Sequence, residues 1–471
     1  MCCPLGRQTR RCIASWPGNV ALVFDALAST ELPRRRPGAV IANVRRRRRD
    51  GDLAEALRVA TEALDVAPPS VRLQRAELLV ETAELHVLLG DDAAADQTFA
   101  AAEGLAEGRE PTIAIRAICG RAGIARYAGR LGDADALVKG AWLISERTAA
   151  LEPLTRSLLL IETGLCGLES RDPAAIADLD EAVALAASTK RGRRRDGIEA
   201  LALEARATAH RFAGEFAPAR AALDRALPLA GRAFGARSLE VAQCLNARGM
   251  VGKFSGEFER AAADYAAVGA ILAVVVEPDH PEVAALLHNL AGLEHARGEF
   301  ATAEDVARKS LELRILRLGD DHLQVGLDRS GLASILDGLG RRDEAEHELT
   351  KALSILRSTL GSEHREVGIA LNNLAAIAQG RGDLVRAERH YREALAIKTA
   401  SLGPGSPSVG ITLANLASVV LRRGDPAGAG DLIGQALAIL EATVGPDHAA
   451  LRTARATRAR IAVRLDDEET G

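Results

Sequence analysis

A step of 42 residues recurs along the second half of this 471-residue chain. Histidines stand at positions 280, 322, 364 and 448, and Ser406 takes the remaining place in the series. Glycines and alanines keep the same step at Gly256, Gly298, Gly340, Gly382 and Gly424, and at Ala261, Ala303, Ala345, Ala387 and Ala429. Because a structural repeat packs only against its neighbours, the step predicts a continuous array rather than about three globular domains.

Each unit of the array is predicted to hold two amphipathic helices. In the unit that begins at Ser362, an apolar stripe at helical spacing consists of Leu371, Leu374, Ala375 and Ala378. The segment GRGD at 380–383 interrupts the pattern, and a second stripe begins at Leu384. The recurring alanines let neighbouring helix backbones approach closely, so a larger side chain there would overpack the contact.

The ends of these helices carry their own signals. Pro281 suits the first turn of a helix, and Gly403 is expected to end one in the left-handed conformation. The periodic histidines cannot share a metal ion, because neighbouring helices lie about 8–10 Å apart and zinc ligands lie about 2 Å from the ion. We therefore expect these histidines to satisfy free backbone donors at helix starts, and we expect no metal and no cofactor.

The segment LNNLAAIAQGRGDLVRAERHYREALAIKTASLG resembles a tetratricopeptide repeat of the longer type found in kinesin light chain. The matching residues are Ala375, Gly382, Ala387, Tyr391, Ala394 and Leu395. The same frame places turns at 51, 90, 132, 172 and 214 and then at each step to 424. The resemblance implies an all-α fold, a right-handed superhelical solenoid of antiparallel helix pairs whose first helices line a concave groove.

The chain is predicted to divide into four segments. Residues 1–36 form an irregular N-terminal tail, and residues 37–194 form divergent repeats of the tetratricopeptide type. Residues 195–448 form the regular 42-residue array. Residues 449–471 form a capping helix and a C-terminal tail, whose polar side chains would shield the last unit from solvent.

Asn372 and Asn373 stand in the middle of a helix, where asparagine is unfavourable. In the resembling family the asparagines of this NNLA motif line a peptide groove. A primary amide both donates and accepts hydrogen bonds, so a series of amides can hold an extended peptide backbone; the alternative is an unused solvated face. The predicted groove residues are Asn246, Lys253, His288, Asn289, His295, Ser330, Asn372, Asn373, Gln379 and Asn415.

Composition and motifs argue against several functional classes. The net charge of −4 gives no overall basic field for nucleic acid, and the runs RRRRR (45–49) and KRGRRR (190–195) are interpreted as helix-end and loop charges. No phosphate-binding loop, zinc-protease motif or nucleophile elbow occurs, so we expect no enzyme. The six cysteines show no metal-ligand spacing, and no apolar run reaches the roughly 20 residues that cross a bilayer. A cytoplasmic protein without membrane contact is predicted.

The predicted function is a protein–protein interaction scaffold that binds a peptide segment of a partner in the concave groove. An acidic chaperone tail is disfavoured as ligand, because Lys253 and Arg422 stand isolated among the groove positions. The alternative is a regulatory or sensor segment of a larger bacterial signalling protein. WPGNV at 16–20 resembles a short stretch of transcription-activating AAA+ ATPases, although ALV replaces the Arg-Glu-Leu that usually follows. This motif motivates a possible association with a signalling kinase or ATPase.

Overall fold

The computed structural model describes residues 37–170, 172–444 and 448–470. Within these residues the chain forms 21 α-helices and no strand, which confirms the predicted all-α, right-handed solenoid of antiparallel helix pairs. The predicted N-terminal tail, the WPGNV motif and Gly445 lie outside the described residues.

Odd-numbered helices from α1 to α19 are the first helices of their units, and the even-numbered helix that follows each is its second helix. The amino-terminal units contain α1 (Pro37–Arg49), α2 (Leu53–Val66), α3 (Arg72–Leu88), α4 (Asp92–Ala106), α5 (Pro111–Tyr127), α6 (Leu131–Glu146), α7 (Pro153–Ser170) and α8 (Ala175–Ser188). The central units contain α9 (Arg193–Phe212), α10 (Phe216–Phe234), α11 (Leu239–Ser255), α12 (Phe258–Val275), α13 (Pro281–Arg297) and α14 (Phe300–Leu318). The last units contain α15 (Leu323–Gly338), α16 (Arg342–Leu360), α17 (Arg365–Arg381), α18 (Leu384–Leu402), α19 (Pro407–Arg422) and α20 (Pro426–Thr443), and α21 (Ala449–Thr470) closes the array.

The small residues that set the repeat are buried where two helices meet. The five periodic alanines, Ala261, Ala303, Ala345, Ala387 and Ala429, are all 0% exposed. Tyr265 and Tyr391 are the largest fully buried side chains, and both lie on second helices. A methyl group at each alanine leaves room for close backbone approach, while the occasional large ring fills the remaining space of the core.

The periodic histidines cap the first helices, as predicted. The Nδ1 atoms of His280, His322 and His364 accept the backbone N–H two residues later, at 3.1, 3.2 and 3.3 Å. The hydroxyl of Ser406 takes the same role toward Ser408 at 3.3 Å. The histidines are therefore structural groups that satisfy free donors at a helix start.

Two glycine positions end the two kinds of helix differently. First helix α11 ends at Gly256 in the left-handed conformation, with φ 82° and ψ 8°. Gly403 at the end of α18 has φ 80° and ψ 154°, so the expected left-handed cap is wrong there. The chain leaves α18 in an extended conformation toward the next unit, and glycine tolerates the positive φ that this exit requires.

One predicted turn is misplaced. The turn expected at 132 lies at Gly129, whose φ is 79°, and Gly132 is inside α6. Gly129 lies 39 residues after Gly90, so a full 42-residue step from Gly90 overshoots the turn and reaches Gly132.

The first helices form the inner face of the superhelix. First helices of neighbouring units contact one another from α9 through α19, whereas the second helices of neighbouring units are held farther apart. A stack of helix pairs curves toward the side on which neighbouring helices lie closer together. The first helices therefore lie on the concave side of the superhelix.

Successive turns of the superhelix touch each other. The guanidinium of Arg48 at the end of α1 lies 2.7 Å from the carboxylate of Glu240 at the start of α11. The Nε2 atom of His280 lies 3.0 Å from the carbonyl oxygen of Leu88, which is 192 residues earlier. Equivalent contacts join α5 with α15 and α7 with α17. In every case the partner is a first helix five units further along, so about five units complete one turn.

Candidate functional site: the concave groove

The structure places all ten predicted groove residues on the first helices α11, α13, α15, α17 and α19. Asn246, His288, Ser330 and Asn372 occupy equivalent positions in four successive units. Asn289, Asn373 and Asn415 share a second equivalent position, which Gly331 takes in the unit between the first two, and Lys253, His295 and Gln379 share a third, which Asp337 takes in the unit before Gln379. Nine of the ten side chains are half-buried, and Asn289 is buried with 6% exposure.

Two of the asparagines are used to join units. The amide of Asn289 donates to the side-chain oxygen of Asn246 at 2.9 Å, which links α13 to α11. Because Asn289 is buried, its amide is satisfied within the protein rather than facing the groove.

The adjacent pair Asn372 and Asn373 connects three first helices. Asn373 donates to the hydroxyl of Ser334 on α15 at 3.2 Å, and Asn372 donates to the oxygen of Asn373 at 3.4 Å. On the other side, the hydroxyl of Thr412 on α19 lies 3.1 Å from the oxygen of Asn372. These asparagines therefore stabilise neighbouring units while their side chains remain partly exposed.

A buried lysine lies behind this pair. The ammonium of Lys398 on α18 donates to the hydroxyl of Thr412 at 3.0 Å, and the residue is only 4% exposed. Burial lowers the pKa of Lys398 to about 8, and the nearby carboxylate of Glu366 opposes this only in part. Two units earlier, the equivalent positions hold Arg314 and Asp328, whose charged groups lie 3.3 Å apart. Lys398 thus occupies the place of an ion-paired cation but faces a hydroxyl instead of a carboxylate.

Some of the other predicted groove residues already have hydrogen-bond partners within the protein, and others do not. The Nδ1 atom of His288 lies 2.7 Å from Asp328, which also accepts from the hydroxyl of Ser310 at 2.6 Å. Gln379 donates to the hydroxyl of Ser418 at 3.3 Å. Among the described residues, the side chains of Ser330 and Asn415 have no hydrogen-bond partner, so they are free to meet a ligand.

Lys253 is not isolated, contrary to the expectation from the sequence. Its ammonium lies 4.8 Å from the ring centre of Phe254, and the guanidinium of Arg211 lies 5.8 Å from the same centre. Burial and the charge of Arg211 lower the pKa of Lys253 to about 8. Burial, and then Lys253, lower the pKa of His295. Arg211 lies 42 residues before Lys253 and could have been found from the repeat.

The arginine runs are largely taken up by ion pairs. Arg45 lies 2.8 Å from Glu81, Arg47 lies 3.1 Å from Asp52, and Arg48 lies 2.6 Å from Glu84. These pairs hold α1 against α2 and α3, which agrees with a structural interpretation of the run.

In the part of the chain that the structure describes, no His, Cys, Asp and Glu side chains group as a metal site would require. Nor does any described helix combine the length and apolarity of a membrane span.

Comparison with known proteins identifies the repeats. A tetratricopeptide repeat model matches residues 282–358, 327–400 and 366–442. Residues 282–442 carry tetratricopeptide repeats. Tetratricopeptide repeats typically form non-catalytic scaffolds, and those of this chain support a general role as a protein-interaction scaffold. The comparison with curated proteins found no match.

Several solved structures are similar to the solenoid. BtubC (BKLC) from P. vanneervenii is 20% identical, with a TM-score of 0.40, over 50% of this chain and 94% of that chain. Kinesin light chain TPR-like repeats from Podosopora anserina are 24% identical, with a TM-score of 0.35, over 42% and 94%. The Rap protein complexed with Competence and Sporulation Factor is 14% identical, with a TM-score of 0.52, over 76% and 99%. The last of these likenesses is a likeness of fold.

Proposed function

We propose that the concave face of α11–α19 binds an extended segment of a protein partner, and that the chain acts as a scaffold without chemistry of its own. The observation that carries this proposal is the half-buried polar stripe on the inner helices, in which Ser330 and Asn415 have no hydrogen-bond partner among the described residues. Unused donors and acceptors on a concave surface suit a peptide backbone. The Rap protein, which has a similar fold, was solved in complex with Competence and Sporulation Factor. A cytoplasmic location and a signalling kinase or ATPase as partner stay predictions from sequence.

The asparagines would hold the partner through its backbone. Asn373 and Asn415 occupy equivalent positions on α17 and α19, so they can contact successive parts of one extended segment. The position between Asn289 and Asn373 is Gly331, which leaves room for a bulky side chain of the partner. The backbone contacts give affinity, and such gaps between them give selectivity.

The test is a titration with a segment of a captured partner. The full chain is immobilised, a bound protein is digested in place, and the protected segment is synthesised. The double change Asn373→Ala and Asn415→Ala should weaken its binding about tenfold or more, because each lost hydrogen bond costs about 0.5–1.5 kcal/mol. Helix content should not fall, because alanine is the better helix former.

A matched control removes two polar groups from the outer helices. Thr61 and Thr350 are exposed on second helices, and each bonds only to its own helix. Changing both to alanine should leave the affinity as in the unchanged protein. If the asparagine variant binds the segment as tightly as the control, the concave stripe is not the binding surface.

A further inference from the structure

Five side chains alternate between positive charge and aromatic ring at the ends of α9 and α11. In spatial order the cluster consists of Arg365, Phe212, Arg211, Phe254 and Lys253. The guanidinium groups of Arg365 and Arg211 lie 4.5 and 4.4 Å from the ring centre of Phe212. We call this set the cation–aromatic cluster. Arg365 begins α17, four units after α9, so the cluster joins helices that are distant along the chain.

Two of the three cations in the cluster lack a counterion. Arg365 lies 2.8 Å from Glu169. Arg211 and Lys253 make no ion pair within the described residues, although both side chains are half-buried. Elsewhere in the interior the arginines are paired: Arg116 lies 3.2 Å from Glu81, and Arg329 lies 2.6 Å from Glu348. Leaving two neighbouring cations without a carboxylate is costly, so their retention needs an explanation.

The surroundings of the two cations are open and incompletely satisfied. Phe212 is 44% exposed and Phe254 is 54% exposed, whereas most of the aromatic rings that the structure describes are at least half-buried. The hydroxyl of Tyr265 is buried and has no hydrogen-bond partner in the described part of the chain, and it lies close enough to feel the charge of Arg211. Two cations and two exposed rings form a surface that is complementary to an anionic, partly apolar segment.

We propose that the cation–aromatic cluster binds an acidic segment of a protein partner, with its carboxylates on Arg211 and Lys253 and an apolar side chain against Phe212 and Phe254. This proposal rests on the proposed scaffold function, whose partner class it defines. A carboxylate replaces the missing counterion, and burial beside the rings strengthens the interaction.

The repeat sets the spacing of the acidic groups. Arg211 and Lys253 occupy equivalent positions in adjacent units, whose helices pack about 8–10 Å apart. A peptide in the polyproline II conformation rises about 3.1 Å per residue with about three residues per turn, so side chains three residues apart lie on the same face, about 9 Å apart. Carboxylates three residues apart therefore match the two cations, and the side chains between them are available to the rings.

The test uses the full chain and labelled synthetic peptides that carry glutamate at every third position, with leucine and glycine between. Matched peptides carry glutamine or lysine in place of glutamate. At low salt the unchanged protein should bind the glutamate peptide about tenfold more tightly than the glutamine peptide, and added salt should weaken that binding. The double variant Arg211→Gln and Lys253→Gln should lose the preference.

Two further variants guard against loss of folding and against a general charge effect. Lys190→Gln with Arg191→Gln removes the same charge from an exposed loop and should keep the preference. Arg211→Glu with Lys253→Glu should reverse it in favour of the lysine peptide, a gain that a misfolded protein cannot show. Circular dichroism of each variant checks that helix content is retained.

The outcomes separate this proposal from the one on which it rests. Equal affinity of the glutamate peptide for the unchanged protein and the glutamine double variant would overturn the cluster as its site. So would tighter binding of a single-stranded oligonucleotide of equal charge. If either happens while the asparagine variant still weakens a captured segment, the groove proposal stands and only the cluster fails. If the cluster variants change the affinity for the glutamate peptide while the asparagine variant binds the captured segment unchanged, the cluster proposal stands and the groove proposal fails.

Discussion

At the scale of single residues, buried Lys398 departs most clearly from its own repeat. The position holds a paired arginine in one unit, Arg314 with Asp328, and Leu356 in the next. In the unit after that, a cation is kept while its acid is replaced by Thr412. A buried ammonium that only a hydroxyl satisfies is destabilising, which is why its pKa is lowered to about 8.

We predict that Lys398→Met stabilises the protein near pH 7 by about 1–4 kcal/mol, since an apolar side chain avoids the desolvation of a charge. In the unchanged protein the folded pKa lies below the unfolded value of about 10.4. The unfolded chain therefore binds more protons between these values, and stability should rise from about pH 8 to about pH 10. Urea midpoints at both pH values measure this rise, which the variant should lack.

Lys351 provides the control for that change, because it is exposed on second helix α16. Lys351→Met should leave both the midpoint and its pH dependence nearly unchanged. A variant at Lys398 that is less stable than the unchanged protein at pH 7 would show that the ammonium stabilises the fold.

At the scale of helices, the contact between α17 and α18 depends on a small side chain. Ala375 is 0% exposed and belongs to the core that also contains Ala387 and Tyr391. Ala375→Leu should overpack this contact and cost about 1–3 kcal/mol, measured as a lower denaturant midpoint. Ala396→Leu adds the same side chain at an exposed position of α18 and should cost little. An unchanged midpoint for Ala375→Leu would contradict the packing described for this helix pair.

The histidine caps make helix starts sensitive to acid. Each Nδ1 accepts a backbone N–H, which requires a neutral ring, and burial lowers the pKa of both His280 and His322. Their folded pKa values lie below the unfolded value of about 6.5. Protons therefore bind the unfolded chain more readily, and stability should fall as pH drops below about 6.5.

We predict that His280→Asn with His322→Asn reduces this acid loss, because asparagine caps a helix without titrating in this range. The difference in urea midpoint between about pH 7.5 and pH 5 measures the effect. His448→Asn is the control, since His448 caps the exposed start of α21. If the double variant and the control lose the same stability between about pH 7.5 and pH 5, groups other than His280 and His322 cause the loss.

At the scale of the whole molecule, contacts between superhelical turns couple units that a simple linear array would leave independent. Such an array is stabilised by nearest-neighbour interfaces alone. Here Gly90 lies against Pro281, so that a Cβ at position 90 would come within 2.7 Å of the proline ring. A substitution in one superhelical turn should therefore change the local stability of a unit five units away.

We predict that Gly90→Ala increases amide hydrogen exchange at the start of α13 as well as in α3 and α4. Gly298→Ala is the matched control, because its φ of +84° imposes a similar backbone strain while no atom lies within 4 Å of the added methyl. Its effect should stay within α13 and α14. Hydrogen exchange followed by mass spectrometry reads both variants, and a purely local response to Gly90→Ala would contradict coupling between turns.

The sequence by itself determined the helix pairs, the regular turns, the buried alanines and the histidine caps. These features depend on residues within one unit or on the next, so a 42-residue period is enough to reveal them. It also identified the inner stripe from Asn246 to Asn415 and the family resemblance. It misplaced the turn at 132, because the early units do not keep the later period.

Only the tertiary structure decided which inner residues are free and which cations are paired. Asn289 and Asn373 have equivalent positions, yet one is buried against Asn246 and the other is half-open, since this depends on the neighbouring side chain. The contact of Arg365 with Phe212 arises because a small rotation per unit accumulates into a turn of about five units. That rotation is the sum of many helix contacts and has no local signature, so no pattern within one repeat reveals it.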